Sequence, residues 1–375
     1  MLVASQVITV FLVALVVTYL MVPVSKKIAD VIGAIDYPNN RKVNTHPVPR
    51  CGGIALYAGL VAACLAVMIG QRFFGWELLD YYVFQDVDYR LLFLGITAMF
   101  AVGLVDDIVQ MKAMTKLLGQ IAASFIIVAS GVSIGVVRSL ADSSYIDLGW
   151  FDYPLTMLYL VVFVNITNLI DGLDGLAAGI MAIVAGSLLY LVAMRGSATL
   201  SLACVAIIAV CLAFLRYNFF PASIFMGDSG ALLLGCMVGV VSIAGVVRTQ
   251  GFVIMLVPLV IAGVPLLDTV SATVRRLRGH TPVGKGDMEH IHHRLLKSGM
   301  SQRRTVLILW MCSAVLAVIG DTLGMVSGVV RWVILIVLAV IIFLIIWKLG
   351  LFRPVLRHYY DNKGRHGPRR PHRRR

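Results

Sequence analysis

The segment 164–176, VNITNLIDGLDGL, carries oxygen-bearing side chains at a spacing that could build a cation or phosphate site. Asn168, Asp171 and Asp174 follow one another at three-residue steps where an apolar stretch ends, and a glycine stands beside each acid. Residues three apart share one face of a helix, so both acids could act on one ligand. Oxygen donors suit Mg²⁺, which typically binds through one or two carboxylates together with substrate phosphates. Mg²⁺ is therefore the expected cofactor, with Mn²⁺ as the alternative.

A second acidic pair closes another apolar stretch, AVGLVDDIVQ, at Asp106 and Asp107. Adjacent carboxylates point to different sides of a helix, so one could reach a metal while the other takes a proton or positions a base. Acids near a helix C-terminus oppose the helix dipole, which favours a functional role over a merely solvated helix end. Lys116 supplies a nearby cation, although a membrane-surface anchor would explain it too. The predicted catalytic residues are Asp106, Asp107 and Lys116.

The segment RYNFFPASIFMGDSG provides a third group, with Asn218, Phe225 and Asp228. Asp228 lies between glycines where a helix is expected to begin, an arrangement that packing alone does not explain. Phe225 could stack on a ligand or simply pack at the membrane interface. Asp228 is therefore a candidate member of the same site as the acids described above.

The segment HIHHR crowds histidines and an arginine into five residues. A zinc site would need other partners, since no cysteine lies near and the spacing matches no HExxH pattern. Beside carboxylates in a phosphate-handling protein, these groups suit binding and neutralising phosphate oxygens. The predicted phosphate-binding residues of this segment are His290, His292, His293 and Arg294.

Membrane-spanning helices must position these groups, because the 375 residues are 59% hydrophobic and 14% charged, with a mean hydropathy of +0.91. About eleven apolar runs approach the ~20 residues that a spanning helix needs. We expect an all-α, polytopic membrane protein with helices near residues 3–24, 52–70, 91–108, 116–137, 154–170, 176–194, 198–215, 230–247, 252–271, 305–320 and 329–350.

The distribution of basic residues sets the expected orientation. With the N-terminus outside, only six of the 32 lysines and arginines face outward, in agreement with the positive-inside rule. The C-terminus is then cytoplasmic. Residues 1–352 are expected to form one transmembrane catalytic domain, and residues 353–375 a basic, disordered tail drawn to anionic lipid rather than to nucleic acid.

This orientation places every acid, asparagine and histidine group described above on the cytoplasmic face. A transporter would instead show polar groups near the middle of the membrane and interrupted helices, so transport is the less favoured alternative. These acids, asparagines and histidines fit an enzyme that joins a soluble phosphorylated donor to a lipid acceptor at the membrane surface. Mg²⁺ would neutralise the negative charge of a diphosphate there.

The motifs GLVDD, NITNLIDGLDGLAAG, FMGDSGALLLG and HIHHR, in this order, resemble those of the polyprenyl-phosphate N-acetylhexosamine-1-phosphate transferase family. HIHHR is similar to the branch of the undecaprenyl-phosphate GlcNAc-1-phosphate transferases WecA and TagO. The phospho-MurNAc-pentapeptide transferases, the MraY branch, carry a triple-histidine motif from which this chain departs at Ile291. That branch remains the alternative.

The resemblance implies a bacterial cytoplasmic-membrane enzyme that uses UDP-GlcNAc and undecaprenyl phosphate and releases UMP, with a homodimer as a family-level expectation. Asp228 would be the main Mg²⁺ ligand, with Asn168 and the Asp106/Asp107 pair near the metal and lipid phosphate. One of the pair would deprotonate or position that phosphate. The implied uridine-side residues are Asp171, Asp174, Asn218 and Phe225, and those near the diphosphate and sugar are His290, His292, His293 and Arg294.

Overall fold

Helices make up most of the structure. The computed structural model describes residues 4–38, 46–76, 87–138, 145–247, 300–326 and 328–348. The helices in these ranges are α1 (Ala4–Ile32), α2 (Gly53–Phe73), α3 (Tyr89–Val109), α4 (Ala113–Ala129), α5 (Asp152–Ile170), α6 (Leu176–Met194), α7 (Ala198–Asn218), α8 (Gly227–Ser242), α9 (Gln302–Met325) and α10 (Gly328–Lys348). Two small antiparallel hairpins pair β1 (Ile35–Asp36) with β2 (Val48–Pro49) and β3 (Val136–Arg138) with β4 (Tyr145–Asp147). The prediction of a mainly helical protein is confirmed.

Eight segments of the described chain are long and apolar enough to cross a membrane. They comprise α1, α2, α3, α5, α6, α7, α8 with its C-terminal turn, and α9, whereas α4 and the apolar part of α10 are shorter. The protein is therefore multi-pass. The predicted run at 252–271 and the tail at 353–375 lie outside the described residues. The count of eleven and the orientation of the termini stay predictions.

Two predicted helix ends are wrong: α1 continues to Ile32 instead of ending near residue 24, and α4 ends early. The apolar run over residues 116–137 suggested a full crossing, but α4 ends at Ala129. Ser130 donates its hydroxyl to the Ile127 carbonyl at 2.6 Å, and Gly131 takes a positive φ of 98°, which favours glycine and ends a helix. The chain then continues towards β3, although its composition remains apolar.

Helix α8 is the most enclosed of the candidate spans. It packs mainly against α3 and α5 and also contacts α2, α6 and α7. Nearly every residue from Ser229 to Ser242 is buried, which agrees with an apolar sequence on all sides of the helix. Because Asp228 lies at the start of α8, the surrounding helices determine where its carboxylate stands.

Glycines let α2 and α3 approach the start of α8 closely. A Cβ atom on Gly103 of α3 would lie 2.6 Å from the Asp228 carbonyl oxygen. A Cβ atom on Gly53 of α2 would lie 2.3 Å from the Gly230 amide nitrogen. Small residues at such contacts allow membrane helices to pack backbone against backbone. The start of α8 is thus fixed by direct contact with both neighbours.

We expect Gly103→Ala to destabilise the protein, because its methyl group would collide with the backbone of α8. Overpacking of this kind costs about 1–3 kcal/mol of unfolding free energy. The measurement is the midpoint of thermal unfolding in detergent. Gly186→Ala in α6 is the matched control, since a Cβ atom there meets nothing within 4 Å. Equal midpoints for the two variants would contradict the prediction.

Candidate active site

Four parts of the chain meet at one end of the helices. The end of α3 carries Asp106 and Asp107, and the start of α4 carries Lys116. The link between α5 and α6 carries two further acids, and the start of α8 carries Asp228. Contacts between side chains and backbone join these parts. The structure therefore brings together groups that lie more than a hundred residues apart in sequence.

Lys116 joins two acids. Its Nζ lies 2.9 Å from Asp106 Oδ2 and 2.8 Å from Asp228 Oδ1. The two carboxyl groups also lie within hydrogen-bonding reach of each other, and Asp106 Oδ1 accepts a hydrogen bond from the Met111 amide at 2.6 Å. Since one lysine faces two carboxylates, this group keeps excess negative charge when both acids are ionised.

Asp107 is directed to the backbone of α8. Its Oδ1 accepts a hydrogen bond from the Asp228 amide at 2.8 Å. Its Oδ2 accepts from the Ser229 amide at 3.0 Å and from the Ser229 hydroxyl at 2.5 Å. The first amides of a helix have no partner within the helix and need such an acceptor. Asp107 therefore caps α8, and both of its oxygen atoms are engaged in doing so.

Arg50 binds the end of α3. Its Nε donates to the Asp107 carbonyl at 2.9 Å, and its Nη2 donates to the carbonyls of Asp106 and Asp107 at 2.9 and 2.6 Å. The last carbonyls of a helix lack partners within the helix, and a cation there also complements the helix dipole. The pairing explains how α3 ends with two acids in a largely buried setting.

The segment from Pro49 to Gly53 also pairs with the chain just before α8. The Phe225 amide donates to the Pro49 carbonyl at 2.8 Å, while the amides of Gly52 and Gly53 donate to the carbonyls of Phe225 and Met226 at 3.0 and 2.9 Å. These backbone bonds fix the path of the chain into α8. The side chain of Phe225 is half-buried.

The acids after α5 face the chain before α8. Asp171 accepts a hydrogen bond from the Gly227 amide, and Asp174 accepts from the Ala222 amide at 2.9 Å and from the Gln302 side chain. Removal from water, together with the charges of Asp228 and Asp107, raises the pKa of Asp171 to about 8. Removal from water likewise raises the pKa of Asp174. Both acids on this side of the site therefore hold a proton more readily than a carboxyl group in water.

Asn218 holds two loops together. Its Oδ1 accepts a hydrogen bond from the Gly175 amide at 3.0 Å, and its Nδ2 donates to the Ile224 carbonyl at 2.9 Å. The side chain is buried. Asn168 lies in the last turn of α5 and is half-buried. The predicted residues His290, His292, His293 and Arg294 lie outside the described residues.

Two residues of this arrangement were not predicted to belong to the site. From its sequence context, in a basic loop with two prolines, Arg50 fits a positive-inside topology signal as well as a site residue, and no sequence prediction concerns Ser229. Arg50 comes just before Gly52 and Gly53, whose missing side chains signal a close approach of backbone. Ser229 belongs to the MGDSG motif, where a short polar residue at a helix start indicates capping.

The donor set fits a hydrated divalent cation that shares its coordination with a phosphate ligand. Asp106 and Asp228 present oxygen atoms to the same point, where Lys116 lies. In the part of the chain that the structure describes, no group of three or more His, Cys, Asp or Glu side chains could enclose a metal ion. Mg²⁺ typically needs only one or two carboxylates and completes its shell with water and substrate phosphates.

Known proteins resemble this chain in sequence. The profile of glycosyl transferase family 4 matches residues 89–246. A protein of Bacillus subtilis (strain 168), named "Probable undecaprenyl-phosphate N-acetylglucosaminyl 1-phosphate transferase", is 35% identical over 314 residues, which cover 84% of each chain. The decaprenyl-phosphate N-acetylglucosaminephosphotransferase of Mycobacterium tuberculosis (strain ATCC 25618 / H37Rv) is 34% identical over 335 residues, 82% of this chain and 80% of that protein.

A more distant relative spans even more of the chain. The undecaprenyl-phosphate alpha-N-acetylglucosaminyl 1-phosphate transferase of Escherichia coli (strain K12) is 27% identical over 356 residues, 91% of this chain and 92% of that protein. The matched family region, 89–246, contains Asp106, Asp107, Lys116, Asn168, Asp171, Asp174, Asn218, Phe225 and Asp228.

We expect Lys116→Gln to make stability more dependent on divalent cations, because Asp106 and Asp228 would then face each other without a compensating charge. Without metal the variant should unfold more easily, by on the order of 1–3 kcal/mol, and millimolar Mg²⁺ should restore more stability than in the unaltered protein. Thermal unfolding with EDTA and with Mg²⁺ measures both effects. The control is Lys112→Gln, an exposed lysine just before α4. The same Mg²⁺ effect in both variants would refute the expectation.

Proposed function

This chain belongs to glycosyl transferase family 4, and from that premise we propose that it transfers GlcNAc-1-phosphate from UDP-GlcNAc to undecaprenyl phosphate. The products are GlcNAc-diphospho-undecaprenol and UMP. The observation that carries the proposal is the meeting of Asp106, Lys116 and Asp228 at the ends of apolar helices. Such a site can receive a charged diphosphate from water while the helices hold an apolar lipid chain.

The proposed reaction exchanges one phosphoanhydride bond for another. An oxygen of the lipid phosphate forms a bond to the β-phosphorus of the nucleotide sugar. The bond between that phosphorus and the bridging oxygen breaks, and UMP leaves with the bridging oxygen. Both substrates carry negative charge, so the principal task of the site is to bring two phosphates together and to stabilise their combined charge.

We assign Asp228, with Asp106, to the binding of Mg²⁺, and Mn²⁺ is the alternative ion. When bound, the cation would neutralise charge on the diphosphate. Asn168 remains a candidate ligand from its place in the motif. The three hydrogen bonds to Asp107 support a capping role for that residue rather than the ligand role expected from sequence.

The residues of the chain have separate proposed tasks around the phosphates. Lys116 balances the charges of Asp106 and Asp228 and can donate to a phosphate oxygen when the substrates enter. The Asp106 carboxylate forms an ion pair with the same lysine and would orient the lipid phosphate. Asp106 and Lys116 belong to consecutive helices, α3 and α4, and this ion pair joins the two helices at the site.

On the nucleotide side, Asp171 and the half-buried ring of Phe225 are the proposed direct contacts. Asp174 and Asn218 bind backbone groups of the neighbouring loop and would shape that wall. His290, His292, His293 and Arg294 remain predicted ligands of the diphosphate and sugar. We place the enzyme in the bacterial cytoplasmic membrane with this site on the cytoplasmic side, and a homodimer remains an expectation.

The test of the proposed function is the release of UMP by the purified protein. We expect turnover when the protein, Mg²⁺ and undecaprenyl phosphate are incubated with UDP-GlcNAc, and much less with other UDP-sugars. Turnover with UDP-MurNAc-pentapeptide instead would assign the chain to the alternative branch. The absence of UMP with every donor would overturn the proposal.

We expect Asp228→Asn to lower the rate of UMP release by at least ~10²-fold, because the variant loses a charge next to the reacting phosphates. Folding and membrane insertion should persist, since the backbone contacts of this residue remain. Asp88→Asn is the matched control: Asp88 caps α3 as an exposed residue, and asparagine caps a helix equally well. Full activity of well-folded Asp228→Asn would sink the assignment of Asp228.

A further inference from the structure

We propose that Arg50 and Ser229 are positioning residues that act through Asp107 and set the place of Asp228. They would not touch either substrate. Together with Asp107 they join the end of α3 to the start of α8, where Asp228 begins the helix. The catalytic consequence rests on the proposed function, whereas the structural consequence can be measured without it.

The first part of this connection is the set of bonds between Asp107 and α8. The three donors to its carboxylate are the Asp228 amide, the Ser229 amide and the Ser229 hydroxyl. Both Asp107 and Ser229 are almost completely buried, with 2% and 0% of their surface exposed. Bonds that are shielded from water hold their partners more strictly than exposed ones. The first turn of α8 therefore follows any movement of Asp107.

The second part is the attachment of Arg50 to α3. The guanidinium group binds the last carbonyls of the helix and lies 4.0 Å from Asp107 Oδ1. It therefore fixes the backbone from which both site acids of α3 extend. It also places positive charge beside the buried carboxylate of Asp107.

The third part is the close fit at Gly227. This residue has a φ of +72°, and a Cβ atom there would lie 2.0 Å from the Arg50 carbonyl oxygen and 2.6 Å from Asp107 Oδ2. The backbone of α8 thus touches both members of the connection at one residue. There is no room for the helix start to slide relative to Arg50 and Asp107.

This arrangement predicts an effect on rate rather than on donor binding. Asp228 and Asp106 must share Lys116 at 2.8 and 2.9 Å. A misplacement of about 1 Å in a reacting geometry can cost up to ~10²-fold in rate. A disturbed first turn of α8 should therefore lower kcat, while the nucleotide contacts proposed for the loop after α5 should keep KM nearly unchanged.

The kinetic experiment compares two buried serines. Ser229→Ala removes the 2.5 Å bond to Asp107, and Ser201→Ala removes a 2.6 Å bond to the Ser197 carbonyl in the first turn of α7. We expect Ser229→Ala to lower kcat by roughly 10- to 10²-fold with KM for UDP-GlcNAc within about twofold, and Ser201→Ala to retain its kcat. Equal kcat values in the two variants would overturn the positioning role.

Arg50 provides a second route to the same test. In Arg50→Gln the carbonyls at the end of α3 lose the guanidinium group that donates to them. In Arg50→Lys the positive charge remains, and the ammonium group can still donate to some of these carbonyls. We expect kcat to fall in the order unaltered protein, Arg50→Lys, Arg50→Gln. A rate unaffected by Arg50→Gln would contradict the proposal, even if Ser229→Ala failed to fold.

Two readouts do not depend on activity. Hydrogen–deuterium exchange of the peptide spanning residues 224–233 should be faster in Ser229→Ala and Arg50→Gln than in Ser201→Ala. Binding of Mn²⁺, followed by electron paramagnetic resonance, should weaken but persist in Asp107→Asn and be lost in Asp228→Asn. Loss of Mn²⁺ binding in Asp107→Asn with unchanged exchange in that peptide would make Asp107 a ligand and overturn its role as a cap.

These readouts separate the two proposals. Should the unaltered protein release no UMP from any donor, the proposed function fails, and the exchange and Mn²⁺ measurements still decide whether the connection holds α8 in place. Should it release UMP while Ser229→Ala and Arg50→Gln match their controls in kcat and in exchange, the function stands and the positioning role fails.

Discussion

The hydrogen bonds between the Asp107 carboxylate and the first amides of α8 are the interaction on which the candidate site depends. They join the C-terminal end of one membrane helix to the N-terminal end of another, where each helix has backbone groups without internal partners. Near hydrocarbon, such groups have little access to water and must be satisfied by protein. Arg50 serves the carbonyls at the end of α3, and Asp107 serves the amides of α8. The acids Asp106 and Asp228 come together because these two helix ends do.

The rest of the site is held by buried polar groups that bind backbone. Asn218 connects the loop after α5 with the loop before α8, and Asp174 binds an amide of that second loop. The two loops therefore behave as one wall. Removal from water, and to a smaller extent the charges of Asp228 and Asp107, raises the pKa of Asp171 in this wall. Such a wall favours a cationic ligand, or a phosphate accompanied by one.

Much of the helical architecture could be predicted from sequence because long apolar runs have few alternatives in a membrane. The end of α4 could not be predicted from sequence. Residues 132–137 are mostly apolar and look like a continuation of the helix, but the positive φ of Gly131 ends it before them. The grouping of Asp106, Lys116 and Asp228 followed from the expectation that their segments share one membrane face. Adjacent acids at 106 and 107 were expected to serve different partners, but their direction depends on the rotation of α3, which its nearly uniform apolar composition does not specify. Asn218 shows the same limit, since its partners lie in loops whose paths only tertiary structure sets.

The enclosed position of α8 has a consequence for biosynthesis. Within the described ranges, the helices that pack around it, α2, α3, α5, α6 and α7, precede it in the chain. Because a protein is made from its N-terminus, these neighbours leave the ribosome first and can assemble around the place that α8 will occupy. Until the amides of residues 228 and 229 are made, the Asp107 carboxylate has no α8 amide from which to accept a hydrogen bond. The acids around Lys116 therefore come together late, when α8 joins its neighbours. A nascent chain that ends before Gly227 can form neither the hydrogen bonds between Asp107 and α8 nor the pair of Asp106 and Asp228.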